Sequence, residues 1–332
     1  MSALSDDPRW QASVIERLRA RAFYNKATLR ADDQRAGEGN FPLPRFEGRR
    51  SLKVGYRSLM NDLGPSLNSI NALLEARTAS APEKLFVFSE VDGRRFTYSD
   101  FSAAVNRAAS MLASHSIAKG DVVSLLMPNS AEYIIGYFAC WKLGALAGPV
   151  NSLLKEHEIE FVMNNSEAKA ILVGSDFRER IERIKQKLPH LRALITFDDE
   201  SEDTRDHAVS CQKPDREGER SEAHQALANA RASDTPNLVP DDDAIIIYTS
   251  GTTGKPKGCL LTHGNVIANA RQISEWLQFT KHDRLLTIMP LFHMNAVSVT
   301  TMSALYAGGS TVVSPKFSAS KFWEVISNYQ IT

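Results

Sequence analysis

No uninterrupted apolar run in this 332-residue chain is long enough to span a bilayer. Residues 1–25 have no signal-peptide core, because Asp6, Asp7, Arg9 and Glu16 break up their apolar residues. An excess of one charge is missing too. Lys and Arg number 39, Asp and Glu number 39, and the formal net charge is zero, so no global field draws the chain to nucleic acid or to an anionic membrane. Cysteine is scarce. Cys140, Cys211 and Cys259 lie far apart with no metal-ligand spacing. Cys140 and Cys259 sit among apolar residues and read as buried thiols, which predicts a reducing, cytoplasmic setting. No fixed-period repeat runs through the chain. What remains is an ordinary globular composition, 43% hydrophobic and 23% charged, with length for one large domain or two.

Residues 1–65 stand apart as an N-terminal extension. Trp10, Val14, Ile15, Leu18 and Phe23 fall near helical spacing among Arg17, Arg19 and Arg21, which predicts an amphipathic helix. Its interspersed Asp and Glu favour docking on the protein's own surface over membrane binding. Residues 36–50, with Gly37, Gly39, Pro42, Pro44 and Gly48, read as an extended linker.

From about Ser66 the pattern changes. Leu67, Ile70, Leu73 and Leu74 form a helical stripe, and Leu85–Phe88 reads as a strand with Arg95–Tyr98 as its hairpin partner. Ser99 is the expected N-cap of a helix carrying Phe101, Val105, Ala108 and Leu112. Val122–Met127 is an apolar strand, 131–144 a buried helix with Tyr133, Ile134, Phe138 and Trp141, and Ala145–Val150 a strand. Helix over 155–164, strand over 169–173, helix over 177–188 and strand over 192–197 continue the alternation, which predicts an α/β fold of parallel sheets flanked by helices. Residues 198–240 are crowded with charge and poor in large apolar residues. They read as a solvated loop between two subdomains, with a short helix near 221–231. Alternation resumes at Ala244. Phe322, Val325 and Ile326 give a last helix its apolar face, and the chain then stops where another strand is due, so a truncated domain is expected.

The chemistry concentrates after the apolar strand Ala244–Ile247, in Tyr248-Thr249-Ser250-Gly251-Thr252-Thr253-Gly254-Lys255-Pro256-Lys257-Gly258. Glycines let a backbone curl until several N–H groups face one anion. Ser250, Thr252 and Thr253 add hydroxyl donors, and Lys255 and Lys257 add compact positive charge. The string is no Walker A loop, since only two residues separate Gly251 from Gly254 and Pro256 follows Lys255. An unrelated P-loop NTPase is disfavoured for that reason.

This string resembles the phosphate loop of the adenylate-forming superfamily: acyl- and aryl-CoA synthetases, luciferases and peptide-synthetase adenylation domains. A second match is Pro290-Leu291-Phe292-His293-Met294-Asn295, after the expected strand Arg284–Met289. A third, Trp141 to Asn151, resembles the family's Lys-x-Gly-Ala turn; Gly144 is its expected left-handed helix terminator, and its role is architectural. Leu261-Thr262-His263-Gly264-Asn265 falls at a similar family turn, with His263 as a helix cap without chemistry.

The resemblance implies attack of a carboxylate on the α-phosphorus of ATP, with magnesium (Mg2+), followed by transfer of the acyl group to coenzyme A. It sets the 249–258 loop on the β/γ-phosphates, with Thr249, Ser250, Gly251, Thr252, Thr253, Gly254, Lys255 and Lys257 as nucleotide-binding residues. Lys257 matches the family's Pro-Lys-Gly ending, whereas the position of Lys255 accepts other residues. Thr249 would lie close to the metal. His293 would stand beside the substrate carboxylate, as the candidate catalytic residue. Phe317, Ser318, Ser320, Phe322 and Trp323 resemble ligases of the carnitine and fatty-acid type, which leans the substrate toward a small-molecule aliphatic acid.

The resemblance covers about residues 66–332, the first part of the family's large N-terminal domain. The family's later Tyr-Gly-x-Thr-Glu and Thr-Gly-Asp motifs, and the C-terminal lid domain with its catalytic lysine, are absent, so the isolated chain is expected to be inactive. The competing reading is a non-catalytic relative that binds nucleotide weakly. Aryl-CoA ligase, luciferase or peptide-synthetase chemistry remain open within the superfamily.

Overall fold

The computed structural model describes residues 68–197, 236–249 and 256–332. The expected amphipathic helix and linker of residues 1–65, and the short helix near 221–231, lie outside the described residues.

Two sheets organise the chain. Strands β1 (Leu85–Ser89) and β2 (Arg95–Thr97) form the expected antiparallel hairpin. β1 continues in parallel into β10 (Ser310–Val313) and β9 (Arg284–Thr287), giving the order β2-β1-β10-β9. The larger sheet has the order β6-β5-β3-β4-β7-β8, from β3 (Val122–Leu126), β4 (Leu146–Pro149), β5 (Ala170–Val173), β6 (Ala193–Ile195), β7 (Asp243–Thr249) and β8 (Lys257–Thr262). Its first five strands run parallel, but β8 returns antiparallel to β7. The sheets are therefore mixed, because each hairpin adds an antiparallel edge strand to a parallel set.

Alternation along β3 explains why the larger sheet sits inside the molecule. Val122 and Leu126 face one core, with Ile159, Val162 and Met163 of α4 (Glu156–Asn165) and Ile181 and Ile184 of α5 (Ser175–Ile184). Val123 and Leu125 face the other, with α1 (Ile70–Ser80), α2 (Tyr98–Ser114) and α3 (Ala131–Lys142). Strands buried on both faces need continuous apolar sequence, and β3, β4 and β5 supply it. Helix α3 is apolar all round because it packs against β1 of one sheet and β3 and β4 of the other. It ends at Gly144, whose φ of +68° is the left-handed geometry expected there. A Cβ at Gly144 would also come within 2.8 Å of Leu238.

Four local expectations are corrected. The cap of α2 is Thr97, not Ser99. Thr97 is extended and accepts from the Asp100 N–H at 3.0 Å, while Asp100 accepts from the Thr97 N–H at 3.0 Å, so Ser99 already lies in the first turn. The cap of α6 (His263–Leu277) is Thr262, paired in the same way with Asn265; His263 is its first helical residue, fully buried. Cys140 is buried as expected, but Cys259 is exposed, since β8 is the edge strand of its sheet. The helix expected over 177–188 starts at Ser175 and leaves α-geometry after Ile184, closing with a 3-10 turn at Lys185–Lys187.

The C-terminal part runs from β9 through a π-helix (Asn295–Met302) into α7 (Ser303–Ala307), then β10 and α8 (Phe322–Tyr329). Thr300 and Thr301 donate to the Ala296 carbonyl at 2.9 and 3.0 Å, and Ser303 donates to the Ser298 carbonyl at 2.8 Å. These hydroxyls reinforce the wide winding. Gly309, after the left-handed Gly308, lies so close to β9 that a Cβ would meet the Asp283 carbonyl at 2.5 Å.

Candidate functional site

Parallel strands end together, so the carboxyl ends of β3, β4 and β7 share one edge of the larger sheet. Register fixes their relative height. Val123 pairs with Ala147, and Ala147 pairs with Ile245. Four residues further on, Thr249 is level with Met127, about 10 Å away across two strand spacings. Thr249 is exposed and pairs with Lys257, also exposed, so this pair closes the β7–β8 ladder. Ser250, Gly251, Thr252, Thr253, Gly254 and Lys255 lie outside the described residues. The structure thus supplies the two ends of the candidate phosphate loop and shows that it joins an antiparallel hairpin, where the sequence suggested only a loop leaving a strand.

The second candidate segment belongs to the smaller sheet but is tied to this edge. Residues 289–294 leave the carboxyl end of β9. Asn129, two residues beyond Met127, reaches across to them: the Leu291 N–H donates to its Oδ1 at 2.8 Å, and its Nδ2 donates to the carbonyls of Met289 at 2.9 Å and Ser314 at 3.2 Å. Ser314 follows β10, so one buried amide gathers the carboxyl ends of β3, β9 and β10. His293 closes the turn with its N–H on the Pro290 carbonyl at 2.9 Å. Its ring is exposed beside the buried Phe292, with ring centroids 4.5 Å apart. The π-helix begins two residues later, and such winding recurs at functional sites because it re-aims neighbouring side chains.

Helix α3 anchors both segments. Tyr133, Tyr137 and Trp141 recur every four residues on one face and pack along it, the first pair stacked and the second tilted, with centroids 5.6 and 5.3 Å apart. Each carries one polar hydrogen to a backbone carbonyl: Tyr133 to Leu125 at 3.1 Å, Tyr137 to Leu291 at 2.9 Å and Trp141 to Ala244 at 2.8 Å. Burial holds the Tyr137 phenol well above its ordinary pKa, with Tyr133 and Cys140 adding to the effect, so it stays a donor. Burial likewise raises the Cys140 thiol and keeps it neutral. Sequence reasoning missed Asn129 and Tyr137. The four-residue aromatic spacing was a signal for the second; Asn129 carried none beyond its place at a strand's carboxyl end.

Among the described residues no group of three His, Cys, Asp or Glu side chains could hold a metal ion. A magnesium ion carried by substrate phosphates and water would need fewer protein ligands than that. No helix of the described residues is long and apolar enough to cross a membrane.

Two mixed sheets flanked by helices, drawn together at their carboxyl ends by Asn129, carry the two ends of the candidate loop, Thr249 and Lys257, and the His293 turn, the place where ligands gather in open α/β sheets. The family model described as AMP-binding enzyme matches residues 74–332, and the chain belongs to that family. It is 32% identical over 261 residues to the long-chain-fatty-acid–CoA ligase FadD13 of Mycobacterium tuberculosis, covering 78% of this chain and 48% of that protein. It is 32% identical over 253 residues to the crotonobetaine/carnitine–CoA ligase of Salmonella typhimurium, covering 74% of this chain and 46% of the relative. The chain therefore spans about half the length of these curated relatives. Among solved structures, the inhibitor-bound N-terminal domain of FACL13 from Mycobacterium tuberculosis superposes with a TM-score of 0.64 at 28% identity, over 80% of this chain and 62% of that one.

Proposed function

We propose that this chain supplies nucleotide- and acid-binding parts of an AMP-forming acid–thiol ligase. In that reaction a carboxylate oxygen attacks the α-phosphorus of ATP and pyrophosphate leaves. The thiol of coenzyme A then attacks the acyl carbon and AMP leaves. Both partners of the first step are anionic, so the protein's task is to offset their repulsion with fixed donors and cations. Backbone N–H groups around Gly251 and Gly254, the hydroxyls of Ser250, Thr252 and Thr253, and Lys255 and Lys257 take the β/γ-phosphates. Thr249 would offer its hydroxyl to a magnesium ion, which would supply positive charge to neutralise the phosphates. His293, exposed at the turn, donates to the carboxylate. Loss of one such preorganised donor costs about 2–4 kcal/mol of transition-state stabilisation.

The observation that carries this reading is the shared carboxyl edge, with Thr249 level with Met127 and the His293 turn tied to Asn129 just beyond it. The acid is aliphatic on this reading, supported by the Phe317–Trp323 segment and by the fatty-acid and carnitine names of two relatives. A cytoplasmic setting, and an N-terminal extension over 1–65 preceding a nucleotide-binding unit over 66–332, belong to the same proposal.

Calorimetric titration with non-hydrolysable acyl-adenylates, one aliphatic and one aromatic, tests it. The aliphatic adenylate is expected to bind more tightly and His293→Ala to weaken it roughly tenfold or more, whereas Lys257→Ala, whose proposed partners are the β/γ-phosphates, should weaken a non-hydrolysable ATP analogue by a similar factor. No binding, or binding indifferent to both substitutions, would sink the reading. Acid-dependent exchange of labelled pyrophosphate into ATP would show that the chain itself adenylates. Binding without exchange would assign it the binding part alone.

A further inference from the structure

The two sheets share no strand, yet the candidate site draws on both. Something other than a backbone ladder must set the His293 turn against the larger sheet. His293 is exposed, and its backbone bonds stay local, to Pro290 and from Ala296. Its position is therefore inherited from the residues before it. There the Leu291 peptide is held at both ends, its N–H by Asn129 and its carbonyl by the Tyr137 hydroxyl. Tyr137 belongs to α3, which packs on both sheets. Asn129 precedes α3 and belongs to the carboxyl edge of the larger one.

We infer that Asn129 is a positioning residue, setting the His293 turn against the edge that carries Thr249; the inference rests on the proposed role of His293. An amide suits the task as few side chains do. It offers one acceptor and two donors on a short stem, and here the acceptor takes an N–H and the donors take two carbonyls. A carboxylate would keep the acceptor but face the Met289 and Ser314 carbonyls with no hydrogen to give. A leucine of similar size would leave a buried N–H and the carbonyls without their partner. Asn129 is 6% exposed, so water does not readily replace those bonds.

The test compares Asn129→Leu, Asn129→Asp and Tyr137→Phe with the wild-type chain. Three readouts are taken: hydrogen exchange of the Leu291 amide, the His293 ring resonances assigned through His293→Gln, and calorimetric affinity for the aliphatic acyl-adenylate analogue. Asn129→Leu is expected to speed Leu291 exchange roughly tenfold and to weaken the analogue by a similar factor. The His293 resonances should shift while exchange in β5, at Leu172, stays unchanged. Asn129→Asp, retaining the acceptor, should protect Leu291 better than leucine does and still displace His293. A purely structural asparagine would instead accelerate exchange at Leu172 and Leu291 together. Unaltered His293 resonances in a folded Asn129→Leu chain would overturn the inference. If Asn129→Leu does not fold, unaltered His293 resonances in Asn129→Asp overturn it equally. A wild-type chain that fails to bind the analogue would instead remove the substrate-facing role of His293, while Leu291 exchange and the ring resonances still decide whether Asn129 sets the turn.

Discussion

The two segments that carry the candidate chemistry are held by different means. The His293 turn has few ladder bonds and is fixed by side chains, the Asn129 amide on one side and the Tyr137 hydroxyl on the other. The β7–β8 hairpin is fixed by its own backbone ladder, from Asp243 with Thr262 to Thr249 with Lys257, and by two side chains at its flank, Trp141 on Ala244 and Tyr248 on Asn165. On the proposed function the first segment holds a single imidazole through buried side-chain bonds, and the second carries the two ends of a phosphate loop, Thr249 and Lys257. The contrast also separates burial. Leu291 lies in the core, whereas most of β8 faces outward.

The most severe way to break this arrangement is to remove the anchor nearest the hairpin. Trp141 is fully buried and packs at a tilt on Tyr137, so Trp141→Ala should lower stability by about 3–5 kcal/mol, read by urea unfolding. Acid should act on the hairpin side next. His263 directly follows β8 and accepts the Ile70 N–H on Nδ1 at 3.3 Å. Burial depresses its pKa to about 4, against a raising influence from Asp242 and a smaller lowering one from Lys119. The unfolded chain takes up this proton near the ordinary value of about 6.5, whereas the folded chain resists it until about 4. Stability is therefore full above about 6.5 and falls by roughly 3 kcal/mol as the pH drops toward 4. Unfolding at neutral and mildly acidic pH should show the loss in wild type, and a flatter profile in His263→Gln. The smallest effect is expected at the His293 turn. Tyr137→Phe keeps the ring and removes one hydrogen bond, so its cost should be about 1 kcal/mol, with the change confined to residues near Leu291 in an amide-exchange map.

Much of the framework was legible because it rests on local pattern. Apolar stretches such as Val122–Met127 and residues 169–173 read as strands, and Gly144 announced the end of its helix. The Pro290–Asn295 segment was readable by resemblance, and its place at a strand's carboxyl end holds in the fold. Other features depend on partners distant in sequence. Nothing around Asn129 reveals that Met289, Leu291 and Ser314 will meet it. The return of β8 beside β7 was hidden because a phosphate loop was pictured as leading away from its strand. Thr97 was passed over for Ser99 because the capping box was not counted through to Asp100. Cys259 looked buried because its apolar neighbours were weighed without knowing that β8 would be an edge. The π-winding after Asn295 leaves no pattern in composition, since the same residues also suit an α-helix.

The aromatic ladder on α3 also acts as a ruler. Its rungs at Tyr137 and Trp141 are four residues apart, about 6 Å along the helix axis, and that interval fixes how far the Leu291 and Ala244 carbonyls stand from each other. The start of β7 is thereby indexed to a helix residue 103 positions upstream, so a shift of α3 would be read at the head of the strand whose other end carries Thr249.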